Sequence, residues 1–143
     1  MVPLLPLNLE IRVAGRGGEW IKRRSPKVRW AGVVPSAGAF LRSARVIAVP
    51  SVTGGGVQVK ALDAISAGRP VVATSTALRG IHDLPGYVVC VDDPAQFAAS
   101  LSESVSGVTT GDAVIEGQAW ASQRRERFVL AVNAAVLALA AES

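Results

Sequence analysis

The chain has 143 residues, half of them hydrophobic and 18% charged, a balance that argues against a disordered polypeptide and leaves room for one domain with its own core. Aromatic residues make up only 5%, which suits closely packed helix and sheet layers better than an all-β sandwich. The net charge of +4 is concentrated in two clusters, Lys22, Arg23, Arg24, Lys27 and Arg29, and Arg124, Arg125 and Arg127. Such clusters form a solvated surface or attract phosphate-bearing ligands, anionic lipid or nucleic acid, and with only Trp20 and Trp30 nearby to stack bases, nucleic acid is not expected.

Met1 to Asn8 holds two prolines among leucines and gives no clear element. Leu9 to Ala14 reads as a strand, and Gly15-Arg16-Gly17-Gly18 as the turn into a helix that begins near Glu19 and ends by Pro26. That turn lacks the full dinucleotide-binding fingerprint. Lys27 to Val34 alternates as the next strand. Ser36 then caps a helix to about Ala44, with Phe40 and Leu41 toward the sheet.

The apolar run Val46 to Val49 has no polar alternation and suits a strand buried on both faces. It breaks at Pro50, passes three glycines at 54–56, continues at helical spacing to Ala67, ends at Gly68 and resumes as a strand at Pro70–Ala73. Strand, glycine loop, helix and strand make a βαβ crossover.

Ser75 to Ile81 reads as a loop and Tyr87 to Val91 as the last strand. Asp92-Asp93-Pro94 caps a helix from about Pro94 to Ser104 by placing carboxylates at its positive end, so no metal is expected there. Ser106 to Asp112 is a Ser/Gly/Thr-rich connection. The remainder, from about Ala113 to Ala140, reads as helix in one or two pieces, with Trp120, Phe128 and Leu130 on apolar faces. Cys90, the only cysteine, sits in an apolar run and is expected to be a buried, inert thiol; no disulfide can form within one chain. His82, the only histidine, reads as a structural or solvated loop residue rather than a general base. No secretory signal is evident. The most apolar stretch, Phe128 to Ala141, is too short to cross a bilayer. The expected location is cytoplasmic, with peripheral contact at the inner membrane as a further option.

The central crossover carries the chemistry. A parallel strand delivers the chain to the carboxyl edge of the sheet, where open α/β sheets bind ligands. Three glycines there let backbone approach a ligand, and the next helix offers its unpaired N–H groups and positive dipole end to a phosphate. Asp63, about two turns into that helix, is placed to accept hydrogen bonds from a sugar hydroxyl.

The string GGGVQVKALDAISAGRPVVAT, preceded by VIAVPS, resembles the donor-binding segment of retaining glycosyltransferases of the GT-B fold (group 1, family 4 type). The carriers are Pro50-Ser51, the small residues Ala64-Ile65-Ser66-Ala67, and Gly68-Arg69-Pro70-Val71-Val72. Of the family's paired glutamates, the second falls on Asp63 and implies a contact with the nucleotide ribose. The first falls on Gly55, which has no side chain to contact the donor sugar. Lys60 stands where some glycine-rich members carry a lysine, and Thr74 or Thr76 and Gly80 match the loop that follows.

The resemblance implies a Rossmann-like parallel sheet flanked by helices, an α/β domain forming the carboxyl-terminal half of a GT-B architecture. Residues 1–112 would be the nucleotide-sugar-binding domain, incomplete at its start, and residues 113–143 a helical segment packed on it. The diphosphate would lie at Gly54, Gly55, Gly56, Val57 and Gln58, with Lys60 adding positive charge. Gly15 and Arg16 would face the cleft, and Val33 and Val34 would meet the base through the backbone loop Gly32–Pro35. The reaction implied is transfer of a sugar from a nucleotide diphosphate sugar to a hydroxyl, with retention, without a cofactor or a metal.

No catalytic acid, base or nucleophile is evident in the chain. The family's donor-phosphate arginine and lysine, the first strand and helix of the domain, and the acceptor-binding domain would all precede Met1. The expectation is therefore a fragment, inactive alone, that self-associates through an uncovered apolar face. Two other readings stand beside it: a non-catalytic module that binds a nucleotide or a protein partner, and a structural domain whose glycines serve only a tight turn.

Overall fold

The computed structural model describes residues 9–23, 27–107 and 111–141. Parallel strands alternate with helices: β1 Ile11–Ala14, β2 Val28–Gly32, α1 Ala37–Arg42, β3 Ile47–Val49, α2 Val59–Ser66, β4 Val71–Ala73, α3 Ser75–Leu78, β5 Val88–Cys90, α4 Pro94–Ser106 and α5 Gly111–Ala141. A short 3-10 turn, Glu19–Arg23, precedes β2 in place of the expected longer helix, whose end at Pro26 lies outside the described residues. So do Met1–Asn8, Arg24 and the middle of the Ser106–Asp112 connection. The result is the single Rossmann-like α/β domain that the alternation of patterns predicted.

The strands form two parallel sheets, β1-β2 and β3-β4-β5. Every residue of β4 is buried, because it is the central strand of its sheet and is covered on both faces. On one face Val71 and Ala73 join Ile47, Val49 and the α2 residues Ala61, Ala64 and Ile65. On the other, Val72 packs against Phe97, Ala98 and Leu101 of α4. The small residues Ala61 and Ala64 let α2 lie close on the sheet, and burying a side chain the size of Ile65 or Phe97 stabilises by about 1.5–3 kcal/mol. Leu9 and Ile11, at the start of β1, and Val46, at the start of β3, pack against the same α4 cluster. Arg12 ties β1 to the end of α1 by donating to Ser43 Oγ at 2.8 Å, with its guanidinium 5.4 Å from the centre of the Phe40 ring. Phe40 thus meets Arg12, while Leu41 reaches the core as expected.

Local caps follow the sequence closely. Ser36 accepts from the Ala39 N–H, and Asp93 accepts from the Ala95 and Gln96 N–H groups at the head of α4. Asp92 does something else: its carboxylate accepts from the Ser75 N–H at 2.8 Å. The Ser75–Ile81 stretch, expected as a loop, begins with the helical turn α3, which Thr74 caps by accepting from the Ala77 N–H.

Burial departs from expectation at the sheet margins. Ala48 of β3 and Val89 and Cys90 of β5 are exposed, because these strands lie at the edges of their sheet where helix cover stops. Cys90 is thus not a buried thiol. Partial desolvation, and then the charge of Asp92, push its pKa up, so it stays a thiol rather than a reactive thiolate.

The long helix α5 is one element of 31 residues. Its first half lies on the turn between α2 and β4, where Tyr87 donates to the Ile65 carbonyl at 2.7 Å and Trp120 is buried. Burial, followed by the charge of Glu116, raises the Tyr87 pKa to about 12. From Arg125 to Ala138 every residue is exposed, so Phe128 and Leu130 lie on a free surface rather than a packed one.

Candidate functional site

The site grows from the end of β3. After Val49 the chain turns at Pro50, buries Ser51, and runs out through an exposed loop to Gln58, the residue that precedes α2. Gly54 and Gly56 take φ of +131° and +71°, conformations that a side-chain-bearing residue adopts only with strain. Three side-chain hydrogen bonds tie the loop to the segment after β4. Thr74 Oγ1 donates to the Ser51 carbonyl at 2.5 Å, Arg79 Nη1 to the Gly54 carbonyl at 3.0 Å, and Gln58 Nε2 to the Thr76 carbonyl at 3.2 Å.

The loop leaves polar capacity unspent. The Ser51 hydroxyl is buried and finds no partner among the described residues, nor does Gln58 Oε1. Because the Gln58 side chain turns to Thr76, it gives α2 no side-chain cap. The Ala61 N–H donates to the Gln58 carbonyl at 2.9 Å, so the first turn offers an anion the amides of Val59 and Lys60, with no acidic residue there and the Lys60 cation in the same turn.

The pattern of the family described as glycosyl transferases group 1 matches residues 2–106. The chain belongs to the group 1 glycosyl transferases. No curated protein matches it. The resemblance carried by Pro50-Ser51 and Gly68–Val72 is thus to the family that the whole pattern identifies.

Within this glycosyl transferase domain, Gly54, Gly55, Gly56, Val57, Gln58, Lys60 and Asp63 occupy one loop and the helix that follows it. Asp63 is exposed and lies little more than one turn into α2, closer to the loop than expected, because the helix starts only at Val59. Gly15, Arg16, Val33 and Val34 follow the carboxyl ends of β1 and β2, where the Gly15 N–H donates to the Gly32 carbonyl at 2.8 Å. Among the described residues, no hydrogen bond joins this second group to the glycine loop. Sequence reasoning missed Arg79, whose guanidinium braces Gly54. Only its place just before Gly80 could have flagged it.

Behind α2, a cavity of about 650 Å³ is lined by Leu62, Ser66, His82, Asp83, Trp120 and the arginines of α5. Here Asp83, at φ +54°, is fixed twice: Trp120 Nε1 donates to its carbonyl at 2.8 Å and Arg127 pairs with its carboxylate at 2.5 Å. The hydrogen bond from Arg127, then its charge, hold the Asp83 carboxyl below the usual value, with a smaller pull from His82. A lowered folded-state pKa makes this contribution fully present above the ordinary aspartate range and lost as pH falls through the lowered value. Arg127→Gln should return the Asp83 titration to the ordinary range, as read from its carboxyl carbon shift against pH. An unchanged titration would remove Arg127 as the cause.

Proposed function

We infer that this group 1 glycosyl transferase domain binds a nucleotide diphosphate sugar at the glycine loop and the amino end of α2. The observation that carries the reading is the start of α2, which no side chain caps, which carries Lys60 and no acidic residue in its first turn, and which follows an exposed glycine loop. The diphosphate would take the α2 amides and the amides of Gly54–Gln58, and the charge that grows on it as the glycosidic bond breaks would be stabilised by the same dipoles and by Lys60. Asp63 would accept from the ribose hydroxyls, and the backbone at Gly32–Pro35 would meet the base. Transfer to a hydroxyl with retention further needs a second domain that closes over this edge and brings the acceptor. On its own the chain is expected to bind its donor weakly and not to turn it over.

Gly55 favours one alternative. With glycine at the position facing the donor sugar, a module that holds the nucleotide without transferring a sugar would show the same loop. Amide resonance shifts on titration with uridine and guanosine diphosphates test the shared step. Shifts at Gly54–Lys60, Asp63 and Gly32–Pro35 are expected, and none at millimolar nucleotide would overturn it. Asp63→Ala should weaken binding by about 1–2 kcal/mol through the loss of charged hydrogen bonds to ribose. An unchanged affinity would remove Asp63 from the site. Tighter binding of a nucleotide diphosphate sugar than of the bare nucleoside diphosphate would separate a donor-binding domain from a module that holds the nucleotide alone.

A further inference from the structure

Among the described residues, none covers α5 from Phe128 to Ala138. Phe128 is 68% exposed, Leu130 68%, Val136 59% and Leu137 70%. The apolar residues are not confined to one stripe: Val129, Val132 and Val136 follow one side of the helix, and Leu130 and Leu137 another. Between Phe128 and Ala141, Asn133 is the only polar residue. A helix that is apolar all round is stable only when something covers it, and a patch of this size marks an interaction surface. The run is about 21 Å long, well short of the ~30 Å hydrocarbon core, and no helix among the described residues is long and apolar enough to cross a membrane.

Charge narrows what the cover can be. Arg124, Arg125 and Arg127 immediately precede the apolar run and span roughly 160° of the helix circumference. Arg127 is paired with Asp83 and Arg124 lies 5.9 Å from the centre of the Trp120 ring, but neither Arg124 nor Arg125 has an acidic partner among the described residues. Both line the cavity behind α2 together with Phe128. A second copy of this helix would not complement them. Parallel pairing would bring the arginines of the two copies together, and antiparallel pairing would set them against an apolar segment, since Glu126 is the only acidic residue between 124 and 138. A basic collar followed by a short, fully apolar helix is the order in which lipid phosphates and acyl chains are met from water.

We propose that the second half of α5 docks on an anionic membrane, with Arg124 and Arg125 on lipid phosphates and Phe128, Leu130, Val136 and Leu137 in the acyl boundary of one leaflet. The test is flotation of the full chain with vesicles of phosphatidylcholine, alone and with phosphatidylglycerol added. Binding should require the anionic lipid and fall with added salt. Arg124→Gln with Arg125→Gln should weaken it on the order of 20-fold, about 5-fold for each charge. Leu130→Ser with Leu137→Ser should abolish it while leaving the circular dichroism spectrum unchanged, since both side chains are exposed. Equal binding to neutral vesicles would overturn the role of the arginines. Absence of binding, together with a concentration-dependent dimer by light scattering, would show that a second copy covers the helix and would overturn the proposal. Absence of binding by a monomer would overturn it as well.

Discussion

Gly68→Ala should destabilise the chain by roughly 2–5 kcal/mol, a large loss for the addition of one methyl group. Gly68 closes the turn between α2 and β4 at φ +62°, where a side-chain-bearing residue is strained. The larger obstacle is space: a Cβ at this position would overlap Val114 Cα and sit 2.5 Å from the Ala113 carbonyl oxygen, both in the backbone of α5. Backbone atoms cannot turn aside as a flexible side chain can, so α5 must lift or the turn must shift. Either movement disturbs the contact in which Gly117 of α5 lies against Ile65 and Tyr87. Urea unfolding followed by circular dichroism reads the loss. Exposure of Trp120, seen as a red shift of fluorescence before the main transition, would show that α5 detaches first. A midpoint unchanged from the parent would mean that α5 does not bear on this turn.

Thr74→Val should cost about 2–4 kcal/mol although it changes the side-chain volume very little. The Thr74 hydroxyl has two roles, donating to the Ser51 carbonyl and accepting from the Ala77 N–H, and it is buried while it does so. Valine leaves both groups without that partner in a place where water has poor access. The loss of the α3 cap affects stability, and the loss of the Ser51 bond affects the loop that follows it. Amide exchange at Ser51–Gly56 should therefore accelerate beyond the change expected from global stability. Thr74→Ser keeps the hydroxyl and should recover most of both effects. If Thr74→Val and Thr74→Ser lose stability equally, the methyl group rather than the hydroxyl carries the role.

The two sites differ in how far they could be read from the chain alone. Gly68 was legible as a helix end, because a glycine after a helical pattern and before a proline has a local meaning. That it also marks the crossing of a second helix was not, since Ala113 and Val114 lie far along the sequence. The same holds at the glycine loop. Gly54–Gly56 and Asp63 stand out by spacing, whereas the bonds that brace the loop join residues 25 positions apart for Arg79 and Gly54, and 18 apart for Gln58 and Thr76.

The alternation of apolar strands with capped helices, the Ser36 and Asp93 caps, and the motif that marks a group 1 glycosyl transferase were all legible along the chain. These depend on periodicity and on neighbours within a few residues, which a linear string contains. Folding in three dimensions settled that Cys90 and Ala48 are exposed, that Thr74 starts a helix while bonding Ser51, and that α5 is seated as far as Ala121, tied once more through Arg127 to Asp83, and exposed from Phe128 on. Those outcomes depend on which strands become sheet edges and on where a covering helix stops. Burial belongs to the set of neighbours that folding brings to a residue, so an apolar run reads the same whether it ends up at the centre of a sheet or on its margin.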